Sequence, residues 1–267
     1  MKIGFSGQAM GSTMLFADIC DMAKKYNMTA CEIWECNAEG GGPGYIGKDI
    51  KKLKKIASDK NITIDCVTLS AAFDAELTED ARNYVKLLNN AVETAAELGA
   101  LKINHYCANI SHGEEADFDR MEKFWSGPLK SAGKYGIILA LENEAHDATR
   151  TPDRMLKVMK HFKSAYFRTN LDVTNYYQAG CDGFPDAYDT LKDYIGYVHL
   201  KNARRNPDGF RYVPIPDGAV NISGLMEKII EDGSYDGLCS LEPHVGPELV
   251  ESYYLRESRY LYNILKI

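Results

Sequence analysis

Short apolar runs alternate along the chain with longer stretches in which apolar residues recur every three or four positions. The clearest run is Ile-Ile-Leu-Ala-Leu, which begins at Ile137 and lies between Gly136 and the polar pair Glu142-Asn143. An apolar run of this length is typical of a strand that is buried on both faces of a parallel sheet. We therefore expect Glu142 to stand on the rim of the sheet, facing a cleft rather than the core.

Three later runs end in the same way, in a side chain that can bind a metal ion. Asp172, His199 and Glu242 each come directly after apolar residues of such a run. From Glu142 onward the four residues are spaced 30, 27 and 43 positions apart, and one strand with its crossover helix takes about 30 residues. Four consecutive strand–helix units are thus predicted to bring four ligands to the same end of a parallel sheet.

The same pattern over the whole chain predicts eight strands, each followed by a helix. The predicted strands are 2–6, 30–35, 62–69, 101–106, 137–141, 167–171, 197–198 and 238–241. Eight such units in 267 residues average about 33 residues each, which is typical of a (β/α)8 TIM barrel. No linker is visible, so we expect a single α/β domain over residues 1–267.

Helix ends are marked by residues that favour them. Thr78 and Thr151 are expected N-caps, and Pro152 occupies the first helical position after Thr151. The helix predicted for 116–135 contains Gly127-Pro128 and is expected to be interrupted there.

Two long segments are predicted to be loops. The segment 203–221 has no helical or strand periodicity. The glycine-rich segment 36–47 is either a mobile surface loop or a lid over the rim.

Composition narrows the class of protein. The chain is 45% hydrophobic and 26% charged, as in an ordinary globular protein, and its net charge of −7 argues against a nucleic-acid partner or an anionic membrane. No apolar run approaches the roughly 20 residues that a membrane span needs, and the N-terminus does not resemble a signal peptide. The seven cysteines include no CxxC pair, so we expect free thiols and a reducing cytoplasm.

The four rim residues indicate a particular chemistry. Three carboxylates and one imidazole form an oxygen-rich ligand set that suits one Mn²⁺ ion, or Mg²⁺ or Co²⁺ in its place, better than structural zinc. Such an ion polarises a carbonyl group and stabilises the enediolate that forms when the neighbouring C–H is deprotonated.

The motifs around these residues resemble those of the xylose isomerase-like TIM-barrel superfamily, which contains sugar isomerases and epimerases. The motifs are Leu141-Glu142-Asn143, Asn170-Leu171-Asp172, Val198-His199-Leu200-Lys201-Asn202 and Ser240-Leu241-Glu242-Pro243, together with Ala96-Glu97-Leu98-Gly99-Ala100. The resemblance covers essentially the whole chain. It implies that Glu142, Asp172, His199 and Glu242 bind one divalent ion, usually manganese, and that Glu142 and Glu242 also move protons. Members often have a histidine three residues after the aspartate, where this chain has Asn175.

Further residues are candidates for contact with the reacting groups. His146, four residues after Glu142, is either a solvated loop residue or a general acid–base, because an unperturbed histidine titrates near neutral pH. The candidates for substrate contact are His105, Trp34, Asn175, Lys201 and Arg205.

Four functions remain open at this point. The first is a sugar isomerase or epimerase. The second, implied by resemblance to C-glycoside deglycosidase catalytic subunits, is a carbon–carbon lyase on 3-oxo-glycosides that works with a small β subunit and uses His146 as its base. The third, an endonuclease, needs a basic face that this acidic chain lacks, and the fourth is a non-catalytic sugar-binding protein. If the protein is an enzyme, we expect its substrate to be a small, unphosphorylated sugar or glycoside. Assembly into a homo-oligomer is a further open alternative.

Overall fold

The computed structural model describes residues 1–11, 14–37, 49–69, 78–107 and 115–265. The strands in these ranges are β1 (Lys2–Ser6), β2 (Ala30–Trp34), β3 (Thr63–Thr68), β4 (Lys102–Tyr106), β5 (Ile138–Glu142), β6 (Phe167–Leu171), β7 (Ile195–Leu200), β8 (Asn202–Asn206), β9 (Gly209–Val213) and β10 (Leu238–Leu241). Eight of them are parallel and close into a barrel in the order β1-β10-β7-β6-β5-β4-β3-β2. The predicted (β/α)8 barrel is confirmed.

Helices cover the outside of the barrel. The described ranges contain α1 (Phe16–Lys25), α2 (Ile50–Lys60), α3 (Thr78–Leu98), α4 (Phe118–Tyr135), α5 (Pro152–Phe162), α6 (Val173–Gln178), α7 (Asp186–Leu191), α8 (Ile222–Asp232) and α9 (Pro247–Leu265). None of them is both long enough and apolar enough to cross a lipid bilayer.

Helix boundaries follow the predicted caps in α5 but not the predicted break in α4. The Thr151 hydroxyl accepts a hydrogen bond from the Arg154 backbone N–H at 3.3 Å, with Pro152 in the first turn. In contrast, α4 is continuous through Pro128, so the predicted interruption is wrong. Pro128 lies on the buried face of α4 with Trp125, and packing of this face against the barrel offsets the one hydrogen bond that proline removes.

Two apolar layers stabilise the fold, one between helices and barrel and one inside the barrel. The larger layer contains outward-facing strand residues such as Ile103, Leu139 and Leu141. The inner one consists of Ala30, Cys66, Ala140, Tyr197 and Leu238, which alternate with outward-facing neighbours along their strands. Small and aromatic residues thus fill the barrel interior on one level, and polar residues follow toward the carboxyl ends of the strands.

The predicted loop at 203–221 is wrong in part, because it contains most of an antiparallel hairpin, β8–β9. The Asn202 side chain closes the segment at its base: its Nδ2 donates to the carbonyls of Ile215 (2.9 Å) and Val220 (2.8 Å). Most of the glycine-rich segment, residues 38–48, lies outside the described residues, and so does the predicted lid.

Candidate metal centre

The four predicted ligands lie together at the carboxyl end of the barrel. Glu142 is the last residue of β5, His199 is the penultimate residue of β7, and Asp172 and Glu242 directly follow β6 and β10. Because parallel strands end at the same rim, these positions converge: one ligand atom from each residue lies within 4.8 Å of all the others. All four side chains are buried.

The imidazole of His199 lies at the centre of the cluster. Its Nδ1 is 3.1 Å from Glu142 Oε1 and 3.3 Å from Glu242 Oε2. Its Nε2 is 2.7 Å from Glu32 Oε2, and the other oxygen of Glu32 accepts a hydrogen bond from the Ser6 hydroxyl at 2.6 Å. Glu32 therefore fixes the ring so that Nδ1 faces the other ligands, a role that carboxylates commonly play behind metal-binding histidines.

Three asparagines orient Glu142. Asn104 Nδ2 donates to Glu142 Oε2 at 2.9 Å, and Asn170 Nδ2 in turn donates to Asn104 Oδ1 at 2.9 Å. Asn175 Nδ2 lies 3.5 Å from Glu142 Oε1 and donates to the Asn143 carbonyl at 2.9 Å. Burial raises the pKa of Glu142 despite the neighbouring positive charge of His199.

Asp172 is held by the backbone around it. Its Oδ1 caps α6 by accepting hydrogen bonds from the backbone N–H groups of Thr174 (2.8 Å) and Asn175 (3.0 Å). Asn143 exchanges two hydrogen bonds with the Asp172 backbone, at 2.8 and 2.9 Å. The cap uses only Oδ1, so Oδ2 faces the cluster, where it lies 2.7 Å from Lys201 Nζ.

Lys201 lies inside the ligand cluster rather than on the outer rim. Its Nζ contacts Asp172 Oδ2 and, at 2.8 Å, Glu242 Oε2, and it is 3.3 Å from His244 Nε2. Burial alone would raise the pKa of Glu242, but the positive charges of Lys201 and His199 hold it well below its usual value. Burial would likewise lower the pKa of His199, yet Glu142 and Glu242 raise it well above its usual value.

The donor set fits a hard divalent ion. Three carboxylates and one imidazole nitrogen converge, the histidine is oriented by Glu32, and Asp172 turns one oxygen away from its helix cap toward the cluster. These are the ligand types that Mn²⁺ and Mg²⁺ accept.

A sequence profile for the family described as xylose isomerase-like TIM barrel matches residues 20–263. The chain belongs to this family. A comparison with curated protein sequences finds no significant match. Solved structures share the fold at low sequence identity, and they include two sugar epimerases and a magnesium-bound protein.

A D-allulose 3-epimerase from Methylomonas sp., in complex with D-allulose, is 16% identical over 98% of this chain and 96% of its own, with a TM-score of 0.75. A 3-keto-D-glucoside 4-epimerase from E. coli is 16% identical over 100% of both chains, with a TM-score of 0.74. A xylose isomerase-like TIM barrel protein from Mycobacterium smegmatis, in complex with magnesium, is 14% identical over 99% and 96%, with a TM-score of 0.80.

In this member of the xylose isomerase-like family, His105 does not face the cleft. The ring packs edge to face against Trp125 and Phe167, between barrel and helices, and its Nδ1 lies 3.4 Å from the Tyr84 hydroxyl. Burial lowers its pKa to about 3, so the ring is neutral at physiological pH. The predicted substrate contact of His105 does not fit this position, because side chains alternate along β4 and Asn104 and Tyr106 are the residues that face inward.

Arg205 contacts α6 and the neighbouring strand of the hairpin. It is exposed on β8, its guanidinium donates to the carbonyls of Tyr177 (3.4 Å) and Gln178 (2.8 Å), and it stacks over the rings of Tyr177 and Phe210. The side chain attaches the hairpin to the end of α6, and its substrate contact stays a prediction.

His146 is exposed, while its neighbours in the same loop are more buried. Asp147 is buried, and burial raises its pKa to about 7. Glu144 is half-buried, and burial together with the charge of Glu142 raises its pKa well above the usual value. The acid–base role of His146 stays a prediction that its exposed position does not support.

Aromatic side chains that flank the cluster complete the wall of the cleft. Trp34 follows Glu32 by two residues on β2, so both lie on the inward face, and the Trp34 indole N–H has no hydrogen-bond partner in the described part of the chain. Tyr212, from β9, packs against the ring of His244 with a centroid distance of 4.8 Å. Tyr212 was not a sequence-based candidate, because the hairpin that carries it was predicted to be a loop.

Proposed function

We propose that this protein is a divalent-metal-dependent sugar isomerase or epimerase that moves a proton on the carbon next to a carbonyl group. The observation that carries the proposal is the placement of Glu142 Oε1 and Glu242 Oε2 around His199 Nδ1, at 3.1 and 3.3 Å, in a buried cluster that also contains Asp172. Membership of the xylose isomerase-like family and the epimerases among its structural neighbours support it.

The ion would be held by Glu142, Asp172, His199 and Glu242, with Mn²⁺ as our first choice and Mg²⁺ or Co²⁺ as alternatives. A divalent ion in this site would polarise the substrate carbonyl and stabilise negative charge on its oxygen. Glu32 keeps the imidazole nitrogen directed toward the ion, and Asn104 keeps the Glu142 carboxylate in place.

Two carboxyl groups next to one another are suited to moving a proton. Glu142 Oε1 and Glu242 Oε2 lie 3.1 and 3.3 Å from His199 Nδ1, so both reach the centre of the cluster. We assign Glu242 as the base that removes the proton and Glu142 as the group that returns one.

The substrate that we propose is a neutral, unphosphorylated sugar. The buried carboxylates of the cluster disfavour a phosphate group beside them. Trp34 and Tyr212 offer aromatic faces beside the cluster, and such faces pack well against the apolar side of a sugar ring. Asn175 stands where the resemblance implies a histidine in many members, and we propose that it contacts a substrate oxygen.

The test is hydrogen exchange at the substrate carbon. The purified protein is loaded with Mn²⁺ and incubated in D₂O with a panel of free ketoses, and deuterium incorporation next to the carbonyl is followed by NMR and mass spectrometry. We expect incorporation with the wild type and a loss of at least about 10²-fold with Glu142→Gln. The control Glu248→Gln, on an exposed glutamate of α9, should behave as the wild type. Full metal occupancy in Glu142→Gln, or no exchange with any ketose, would contradict the proposal.

The alternative function, a carbon–carbon lyase on 3-oxo-glycosides, depends on His146 as a base, and no contact of this exposed side chain with the described residues favours it. Incubation with a 3-oxo-glycoside distinguishes the two, because only the lyase releases an aglycone. Release that requires an added small protein subunit would favour the lyase over the epimerase.

A further inference from the structure

One cationic side chain shares the ligands of the candidate metal centre. The Lys201 ammonium lies 2.7 Å from Asp172 Oδ2 and 2.8 Å from Glu242 Oε2, and the side chain is 2% exposed. It is held by two of the four residues that would bind the ion, through the Asp172 oxygen that the helix cap leaves free.

We propose that Lys201 is a tethered cation that keeps the ligand set assembled in the metal-free protein and competes with the divalent ion for Asp172 and Glu242. Loading then requires the ammonium to move aside, so Lys201 sets the affinity of the site for metal. This inference rests on the proposed function, because it assumes that the four residues bind an ion.

The charge balance of the cluster gives the first reason. Glu32, Glu142, Asp172 and Glu242 are all at most 2% exposed, and they meet close to one imidazole. Buried carboxylates that lack a partner destabilise a folded protein strongly. Lys201 contributes the second positive charge and joins the two carboxylates that come from β6 and β10.

Geometry gives the second reason. An ion that is ligated by Asp172 Oδ2 and Glu242 Oε2 would lie about 2.0–2.6 Å from each oxygen. The Lys201 ammonium is already within 2.8 Å of both. Two cations that share the same two oxygens repel each other at this short distance, and a buried site screens that repulsion poorly.

The displaced ammonium has neighbours that favour it on the cleft side. Lys201 Nζ lies 3.3 Å from His244 Nε2 and 6.0 Å from the centre of the Tyr212 ring. A neutral imidazole accepts a hydrogen bond from an ammonium, and an aromatic face attracts a cation.

A second buried lysine provides a matched control. Lys102, on β4, is 5% exposed and lies 2.5 Å from Asp65 Oδ2, over the ring of Tyr197. Lys102 begins its strand, whereas Lys201 follows the end of β7, so the two lysines lie toward opposite ends of the barrel. Lys102 contacts none of the four ligands within the described residues.

The experiment measures metal affinity and stability without any substrate. The wild type, Lys201→Met and Lys102→Met are stripped of metal with a chelator and titrated with Mn²⁺ by calorimetry, and their melting temperatures are recorded with and without Mn²⁺. We expect Lys201→Met to melt lower when metal-free, to bind Mn²⁺ at least about tenfold more tightly, and to gain more in melting temperature on loading, since a ligand stabilises the state it binds. Lys102→Met should melt lower in both states and bind Mn²⁺ as the wild type does.

Equal or weaker Mn²⁺ binding by Lys201→Met would overturn the inference while leaving the proposed metal site intact. If Lys201→Met does not fold, Lys201→Arg serves instead: its guanidinium can contact both carboxylates, so it should bind Mn²⁺ more weakly than the wild type, and unchanged binding would overturn the inference. Absence of Mn²⁺ binding in the wild type and in every variant would instead refute the proposed metal-dependent function, on which the inference rests.

Discussion

The contact between Glu32 and His199 yields a prediction whose size follows from the geometry. Glu32 Oε2 lies 2.7 Å from His199 Nε2, and both side chains are fully buried. A hydrogen bond to a charged group contributes about 1.5–3 kcal/mol, whereas one between neutral groups contributes about 0.5–1.5 kcal/mol. Glu32→Gln keeps the shape of the side chain but removes its charge, so the contact should weaken by roughly 1–1.5 kcal/mol. If this loss falls on the bound state, the affinity for metal should drop about tenfold.

The loss of Mn²⁺ affinity should reach at most about 100-fold, if the glutamine also leaves the His199 ring free to turn. The assay is competition for Mn²⁺ against a chelator of known affinity, with the melting temperature of the metal-free protein measured in parallel. That temperature should not fall, because the exchange removes one of four neighbouring buried carboxylates. The control is the same exchange at Glu257, a buried glutamate of α9 that is not among the ligands. Mn²⁺ affinity of Glu32→Gln within about threefold of the wild type would refute the reasoning.

Three further predictions concern single residues. Glu242→Gln should reduce deuterium exchange at least about 10²-fold while the fold is retained, and near wild-type exchange would remove its role as base. His146→Ala should leave exchange within about threefold of the wild type, because the side chain is exposed; a loss of roughly 10²–10⁴-fold in aglycone release would instead establish the lyase. Burial raises the pKa of Glu257 from 4.5 to about 8, so the folded state loses stability as pH rises through this range, by at most about 5 kcal/mol. Chemical denaturation should therefore show Glu257→Gln equal to the wild type at pH 5 and more stable at pH 9, and equal stability at both would contradict this.

The sequence predicted the barrel and its four rim ligands for the same physical reason. Strands of a parallel sheet are buried on both faces, so their apolar runs are nearly continuous and the first polar residue after each run marks the rim. Glu142, Asp172 and Glu242 each stand at such a break in apolarity. Glu32 does not, because it lies within β2 between Cys31 and Ile33, and only closure of the barrel brings it to His199.

Two predictions failed because the sequence of a single strand does not contain the information that they needed. His105 and Asn104 are adjacent in β4, and a change of one position in the register moves a side chain from one face to the other. The hairpin was missed because Ala203, Arg204 and Arg205 do not alternate between apolar and polar, although Asp208-Gly209 is a common turn pair. Its strands also contact α6, through Arg205 with Gln178 and Tyr212 with Gln178, and these contacts cannot be read from the sequence of the hairpin.

The closure of the hairpin segment by Asn202 has a consequence for how this barrel can diversify. The Asn202 side chain binds the backbone at Ala203, Ile215 and Val220, so β7 and α8 are held at a fixed separation whatever the length of chain between them. Extra residues at the hairpin tip would cost little, because loop-closure entropy rises slowly with length. The segment is therefore a natural site for insertion or grafting, where the wall around Tyr212 can be exchanged while the ligands beneath it keep their positions.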